Sequence, residues 1–360
     1  MTTIIAKAVA GAGRAGDDFD GDGELAAGAV ELCLLTASGG RGQRLDRFLA
    51  MALPAHDPAA FGELSRTRIQ RWIALGAVRC DGRVRAASTR LDGFETLLIE
   101  PQPRDADSAF VAEPIPLSVV WCDAALRIID KPAGLVVHPA AGNWRGTLLN
   151  GLLHLDSGLA ALPRAGIVHR LDKDTSGLLV VARSERAMAA LSEQLADRSM
   201  GRCYLALVRG TPPSEGRLEA PIGRDPRQRI RMAVVPPPRG RSACTDFRTL
   251  ARGRLDGQSV TLLECRLETG RTHQIRVHLS DAGWPLIGDG LYGGPRLAGF
   301  ERQALHAWQL ALRHPDDGRQ MAWASPPPAD LSALLAQAGI AADALPVEAR
   351  RERAGVIDER

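Results

Sequence analysis

Residues 168–182 read VHRLDKDTSGLLVVA, and they leave the chain little choice. A wholly apolar run, Leu178–Ala182, follows directly on a loop carrying His169, Arg170, Asp172, Lys173, Asp174 and Gly177. Five apolar residues after a turn predict a strand buried on both faces. The charges therefore stand within a few residues of the core. Burying a lone charge is costly, so they must be hydrogen-bonded or paired. Such a loop is either a functional site or a structural ion cluster.

The segments around it supply the rest of a fold. Strands are predicted at Leu117–Trp121, Leu126–Ile129 and Gly134–Val137, and a short helix at Thr147–His154. Asp130-Lys131-Pro132-Ala133-Gly134 reads as a turn, and His138 as a structural residue. Ser184 is placed to cap a helix running to Arg198, with Met188, Leu191 and Leu195 on one face. Arg202–Arg209 and Ser259–Glu268 read as strands. Thr272 is the expected cap of a helix that begins HQIRVHL and stops near Gly283. That puts Arg276 in the first turns, an unfavourable end for a cation, which a buried carboxylate from the central stretch would offset. Leu305–Arg313 and Gln320–Trp323 are predicted strands, and Asp330–Gln337 a helix.

Ahead of this lies a smaller pattern. A strand is expected at Val30–Leu35 and a helix at Arg44–Leu53. A second helix runs from the cap Ser65 to Leu75, a hairpin spans Val78–Val84 around Asp81-Gly82, and a closing strand covers Glu95–Ile99. Arg66, Arg68, Arg71, Arg79, Arg83 and Arg85 cluster here. The segment Arg41–Asp92 holds ten arginines against five acids, and Arg224–Arg241, with Arg229 and Arg231, holds six against one. Two basic patches on a chain of net charge +3 suggest a polyanionic partner. Residues 1–29, rich in Ala, Gly and Asp, are expected to be disordered. Residues 101–112 form a linker, and 336–360 a loose charged tail.

Several chemistries are disfavoured. The six cysteines form no CxxC pair, and the histidines no HExxH. The serine elbow GxSxG and the phosphate-binding motif GxxxxGK[ST] are missing, and GxGxxG, at 11–16 and 288–293, follows no predicted strand. Asp172 and Asp174 alone make a weak metal signal. A carboxylate acting without metal or cofactor, set against an arginine in an RNA-binding protein, is what remains. No apolar run reaches the roughly 20 residues that span a bilayer. The expectation is a cytoplasmic monomer without membrane contact.

The motif HRLDKDTSGLLVVA resembles the catalytic motif of the RluA-type pseudouridine synthases. IIDKPAGLVVHPAAGNWRGTLLNGLL, the strand with Tyr204, and LETGRTHQIRVHLSDAGWPLIGDGLYGG resemble further stretches of that family. RLDRFLA and LSRTRIQRWIALGAVRCDGRV resemble the S4 RNA-binding domain that often precedes it. The implied fold is α+β: a small S4 domain at 30–100, then a catalytic domain at 113–335 with a mixed, largely antiparallel sheet. The resemblance also implies Asp172 as catalytic aspartate, Arg276 as its partner, Tyr204 stacking on the target base, and Arg170 filling the gap left by a flipped uridine. It implies no cofactor or metal. FERQALHAWQLALRHP points toward the RluD-type branch, which acts on a stem-loop of large-subunit (23S) rRNA, free or in an assembly intermediate. A RluC-like paralogue at other uridines, a binding-only assembly factor and a metal-dependent nuclease are the alternatives.

Overall fold

A computed structural model describes residues 4–9, 31–57, 61, 64–102, 109–140, 143–228, 230–350 and 355–357. The chain divides into two units, residues 1–104 and 105–360, and the division falls inside the expected linker. Residues 103–108 of that linker lie outside the described residues.

In the first unit, strands β1 (Ile4–Val9), β2 (Glu31–Thr36), β3 (Val78–Cys80) and β4 (Thr96–Ile99) form an antiparallel sheet in the order β1-β2-β4-β3. β1 falls where disorder is expected. It pairs with β2, whose outer backbone groups would otherwise face solvent unpaired. The rest of the expected disordered segment lies outside the described residues. Helices α1 (Leu45–His56) and α2 (Arg66–Ala74) lay Leu49, Leu53, Ile69 and Trp72 against Leu35, Leu97 and Ile99. Ser65 caps α2 by accepting the Arg68 N–H at 3.3 Å. Asp81 and Gly82, both at positive φ (48° and 75°), make the tight turn after β3. The hairpin is shorter than expected: Arg83 makes one bridge to Cys80, and Val84 is exposed.

The second unit is built on one large mixed sheet. Its strands are β5 (Ser118–Cys122), β6 (Leu126–Lys131), β7 (Ser176–Ala182), β8 (Gly201–Arg209), β9 (Glu215–Glu219), β12 (Cys244–Leu255), β13 (Gln258–Leu267) and β14 (Leu305–Arg313). They run in the order β5-β6-β7-β14-β8-β13-β12-β9; β15 (Gln320–Ala324) pairs with β14, and β16 (Gly355–Ile357) with β15. All these pairings are antiparallel except β7 with β14. β10 (Ile222–Arg224) and β11 (Met232–Val234) form a separate hairpin within the second basic patch. The helices are α3 (Leu148–Leu155), α4 (Glu185–Ala196), α5 (Gln274–Asp281) and α6 (Ala329–Gln337). No helix among the described residues is long and apolar enough to cross a membrane.

β7 is buried at every residue, as the apolar run predicts. Leu179 and Val181 enter one core cluster with Leu152, Ile167 and Leu279. Leu178, Val180 and Ala182 enter another with Leu191 and Trp323. Each such side chain contributes about 1.5–3 kcal/mol. Gly177 opens the strand at φ 112°, and a Cβ there would lie 2.2 Å from the Ala307 carbonyl oxygen. The start of the strand can thus approach β14 closely only with glycine at this position.

Further expectations need correction. Gly134–Val137 is not a strand of the sheet. The Val136 and Val137 carbonyls instead accept the Leu148 and Leu149 N–H groups at the start of α3, where Thr147 and Asn150 form a capping box. Thr272 does not cap α5: His273 holds that position at φ 57°, and Gln274 Oε1 ties the preceding turn by accepting from Arg271 N–H and Thr269 Oγ1. β12 was not anticipated, because TDFRTLARGRL alternates around charged residues and buries mainly one side. The tail is not loose as far as Arg350: Ile340, Leu345 and Ala349 close the core cluster that includes Leu331 and Leu335. Residues 351–354 and 358–360 of that tail lie outside the described residues.

Candidate active site

The loop ahead of β7 is held through its backbone. The Asp172 carbonyl accepts the Thr175 N–H at 3.1 Å. The Lys173 carbonyl accepts from Gly134 N–H at 2.9 Å and from Lys131 Nζ at 3.0 Å. The Asp174 carbonyl accepts from Arg302 Nη1 at 3.1 Å. Lys131 is fully buried at the end of β6 and also donates to the carbonyls of Pro132 and Leu135, so its three N–H groups each meet an oxygen. Gln303 Nε2 donates to Thr175 Oγ1, and Ser176 Oγ lies 3.0 Å from His306 Nδ1. His169 turns inward and accepts the Val180 N–H on Nε2 at 3.1 Å, and burial pulls its pKa down to about 3. It is a neutral structural acceptor.

This frame presents Asp172 to a pocket of about 670 Å³. Its Oδ2 accepts from Arg276 Nη1 at 2.9 Å. Arg276 comes from α5 and is nearly buried. Its other face is taken by Asp289, whose oxygens accept from Nε at 2.7 Å and Nη2 at 2.9 Å. The guanidinium thus bridges two carboxylates, which raise its pKa against the effect of burial. It also lies over the Tyr292 ring, 5.0 Å from the centroid. Tyr292 Oη accepts the Met232 N–H at 2.9 Å and lies 2.8 Å from His273 Nδ1. The other ring nitrogen, Nε2, lies 3.8 Å from Asp172 Oδ1. Burial lowers the His273 pKa, which keeps the ring neutral. Asp172 therefore has one oxygen clamped. The other faces the pocket with no hydrogen-bond donor on it among the described residues. A carboxylate so held can attack an electrophilic carbon or stabilise a neighbouring cation.

Tyr204, on β8, lines the same pocket. Its ring is 95% buried in the core, and burial pushes its pKa up to about 12. Arg170 is exposed and lines both this pocket and a second one, of about 410 Å³, on which Asp172 also opens. The other sequence-predicted residues are spread more widely. Arg66 is engaged by the buried Asp46, which also accepts from Arg44 and Gln70 and is held well below the usual carboxylate range. Arg68 donates to the Gln102 carbonyl and lies over Trp72. Arg71, Arg79 and Arg83 are exposed on the first unit. Arg231 lies over the Tyr292 ring at 5.1 Å, and Arg229 is outside the described residues.

Asp289, His273, Tyr292 and Lys131 were not identified as site residues from the sequence. The signal for Asp289 is the predicted cost of Arg276 near a helix start, which one carboxylate was expected to offset; two do. Among the described residues, one trio of His, Cys, Asp or Glu side chains is close enough to share an ion: Cys244, Asp246 and Glu268. Asp172 and Asp174 do not belong to it, and Arg217 engages both of its acids.

Residues 125–281 match the profile of the family described as RNA pseudouridylate synthase. Ribosomal large subunit pseudouridine synthase D of Nitrosomonas europaea is 47% identical over 302 residues, covering 82% of this chain and 84% of its own. The protein of that name from Xanthomonas campestris is 46% identical over 307 residues, covering 82% and 88%. The structure of human RNA Pseudouridylate Synthase Domain Containing 4 superimposes with a TM-score of 0.50 at 24% identity, over 62% of this chain and 93% of the human one. That last likeness concerns the fold alone.

Proposed function

The chain belongs to the RNA pseudouridylate synthase family, and from that premise we propose that it isomerises uridines of large-subunit (23S) rRNA with Asp172 as the working carboxylate. The relatives named for the ribosomal large subunit support that substrate. The observation that carries the chemistry is the clamp on Asp172: one oxygen on Arg276, the other open to the pocket.

The reaction breaks the N1–C1′ bond of uridine, turns the base, and joins C5 to C1′. Product and substrate are isomers, so no redox partner or energy source enters. As N1 leaves, positive charge develops at C1′. Asp172 Oδ1 meets it, either bonding to C1′ or screening the charge. Arg276 holds the carboxylate in line throughout, and Asp289 holds Arg276. The uracil is released from its stack into the pocket at a cost of a few kcal/mol, offset by contacts to the RNA backbone. Tyr204 forms the floor under the base, and Arg170 at the pocket edge occupies the vacated place in the RNA. As C5 joins C1′, any bond from Asp172 to C1′ breaks, the C5 proton departs, and N1 takes up a proton in its place.

The first unit, with two helices, a hairpin and a basic face, is read as an S4-type RNA-binding domain. Its arginines contact phosphates rather than base edges. Arg71, Arg79 and Arg83 are the contacts proposed there, and Arg229 and Arg231 on the second patch. This substrate places the enzyme in the cytoplasm, where rRNA is transcribed and assembled.

The test is tritium release from C5-labelled uridine in transcribed 23S rRNA. The wild type releases tritium with EDTA present; Asp172→Asn binds the RNA with nearly unchanged affinity and releases none. A variant that retains release, or that loses binding in proportion, would remove Asp172 from the chemistry.

A further inference from the structure

Among the described residues, three arginines are buried: Arg127, Arg202 and Arg276. Arg127 faces Asp156, and Arg276 faces Asp172 and Asp289. Arg202 is 95% buried on β8; its guanidinium has no hydrogen bond or ion pair among the described residues, and its Nε is sealed from solvent without an acceptor. A lone buried cation is among the costlier things a fold can hold. Burial alone pulls its pKa down, and no carboxylate opposes this.

Arg202 is not walled off. It lines the pocket that holds Asp172, beside Gly270. A Cβ on residue 270 would stand 2.7 Å from Arg202 Nη1, so glycine there leaves that side of the guanidinium uncovered. The pocket wall carries seven arginines and two carboxylates, Asp172 and Glu268. Both acids are already engaged, Asp172 by Arg276 and Glu268 by Arg217 and Arg198. Arg271 donates to the Ser242 carbonyl, and the nearby Arg241 and Arg198 add to burial in depressing its pKa. The wall therefore has an unbalanced positive charge, and its most desolvated member is Arg202.

We infer that Arg202, opened to the pocket by Gly270, is a binding subsite for one phosphodiester of the RNA, and that an anion completes this buried cation only in the complex. The inference rests on the reading of this pocket as the RNA site. Strand geometry limits the phosphate to one flanking the target nucleotide. Residues 202 and 204 point to the same face of β8, about 7 Å apart. With the target base on Tyr204, the phosphate flanking that nucleotide falls to Arg202. Arginine suits it, because its planar fork pairs with two phosphate oxygens at once.

The experiment uses the full chain, with inorganic phosphate and a short oligoribonucleotide as probes. Arg202→Met removes the uncompensated charge, so the free protein melts at a higher temperature than wild type. Phosphate raises the melting temperature of wild type and not of the variant. RNA affinity falls about ten- to hundredfold in Arg202→Met. Gly270→Ala weakens RNA binding in the same direction while keeping every charge. A single methylphosphonate flanking the target uridine weakens wild type by a similar factor and Arg202→Met no further. Equal phosphate protection of both proteins, or unchanged RNA affinity in Arg202→Met, overturns the subsite. Phosphate protection without a methylphosphonate effect overturns its assignment to the RNA backbone. Protection is read without RNA, so its failure and a failure of pseudouridine formation are separate results.

Discussion

Arg276 shows how much of this site depends on single atoms. Its Nη1 holds Asp172, while Nε and Nη2 are held by Asp289, which is itself buried. Rotating that guanidinium would move the Asp172 carboxylate with it. Asp289 acts on the proposed chemistry through Arg276; it is a positioning residue. Asp289→Asn keeps the volume and one acceptor but turns the other oxygen into a donor against Arg276. The expected result is a kcat about ten- to hundredfold lower, since small misplacements of a reacting group cost that much. KM for RNA should stay within about twofold under the same reasoning. Single-turnover kinetics with RNA binding measured in parallel decides it. A loss carried by KM would assign Asp289 to RNA binding instead.

At the scale of elements, β7 is the part that ties chemistry to core. Two histidines hold it. His169 accepts the Val180 N–H, and His306 on β14 meets Ser176 through Nδ1 and donates from Nε2 to the Ser325 carbonyl. Burial pulls their pKa values down to about 3 and about 4, below the 6.5 of a free imidazole. Between those values the unfolded chain takes up protons that the folded chain refuses. The stabilisation is therefore present above pH 6.5 and is lost as the pH falls toward the folded values. Each group loses roughly 1.4 kcal/mol of stabilisation between pH 7.5 and pH 5.5, about 3 kcal/mol for the pair. Urea denaturation at pH 7.5 and pH 5.5 should show a loss of this order, before most carboxylates begin to titrate. His169→Gln, whose Oε1 can still accept from Val180, should be less stable at pH 7.5 but should lose less on acidification. An identical pH dependence in that variant would show that His169 takes up its proton in the folded protein as readily as in the unfolded chain.

On the scale of the whole molecule, the chain forms two units with separate cores. The first unit carries a basic surface, and the residues lining the Asp172 pocket belong to the second. A chain reduced to residues 105–360 should fold and still release tritium from a short stem-loop. It should bind 23S rRNA more weakly, and the slope of log affinity against log salt should fall by roughly 0.9 for each phosphate no longer neutralised, or about 0.7 on single strands. Filter binding at several salt concentrations measures both. An unchanged slope would remove the first unit from RNA binding.

Much of this protein is legible in its residues taken singly and in short runs. The five apolar residues of β7 admit one environment, and they brought the charged loop to the core. Ser65, Thr147 and Ser184 start their helices because a short hydroxyl reaches a backbone N–H three residues on. Asp172, Arg276 and Tyr204 stand in stretches long enough to be matched to a family. Local chemistry also misled where a competing partner lay far along the chain. Val136 and Val137 read as strand, yet their carbonyls serve α3, and β12 hides behind its charged residues. What the sequence by itself determined is what depends on period, caps and motif, because these act over a few residues. What only the tertiary structure decided is which charges meet: Asp289 with Arg276, Lys131 with the loop carbonyls, and Arg202 with nothing. Asp289 lies 13 positions from Arg276 and Lys131 lies 42 from Lys173, beyond the reach of any local rule.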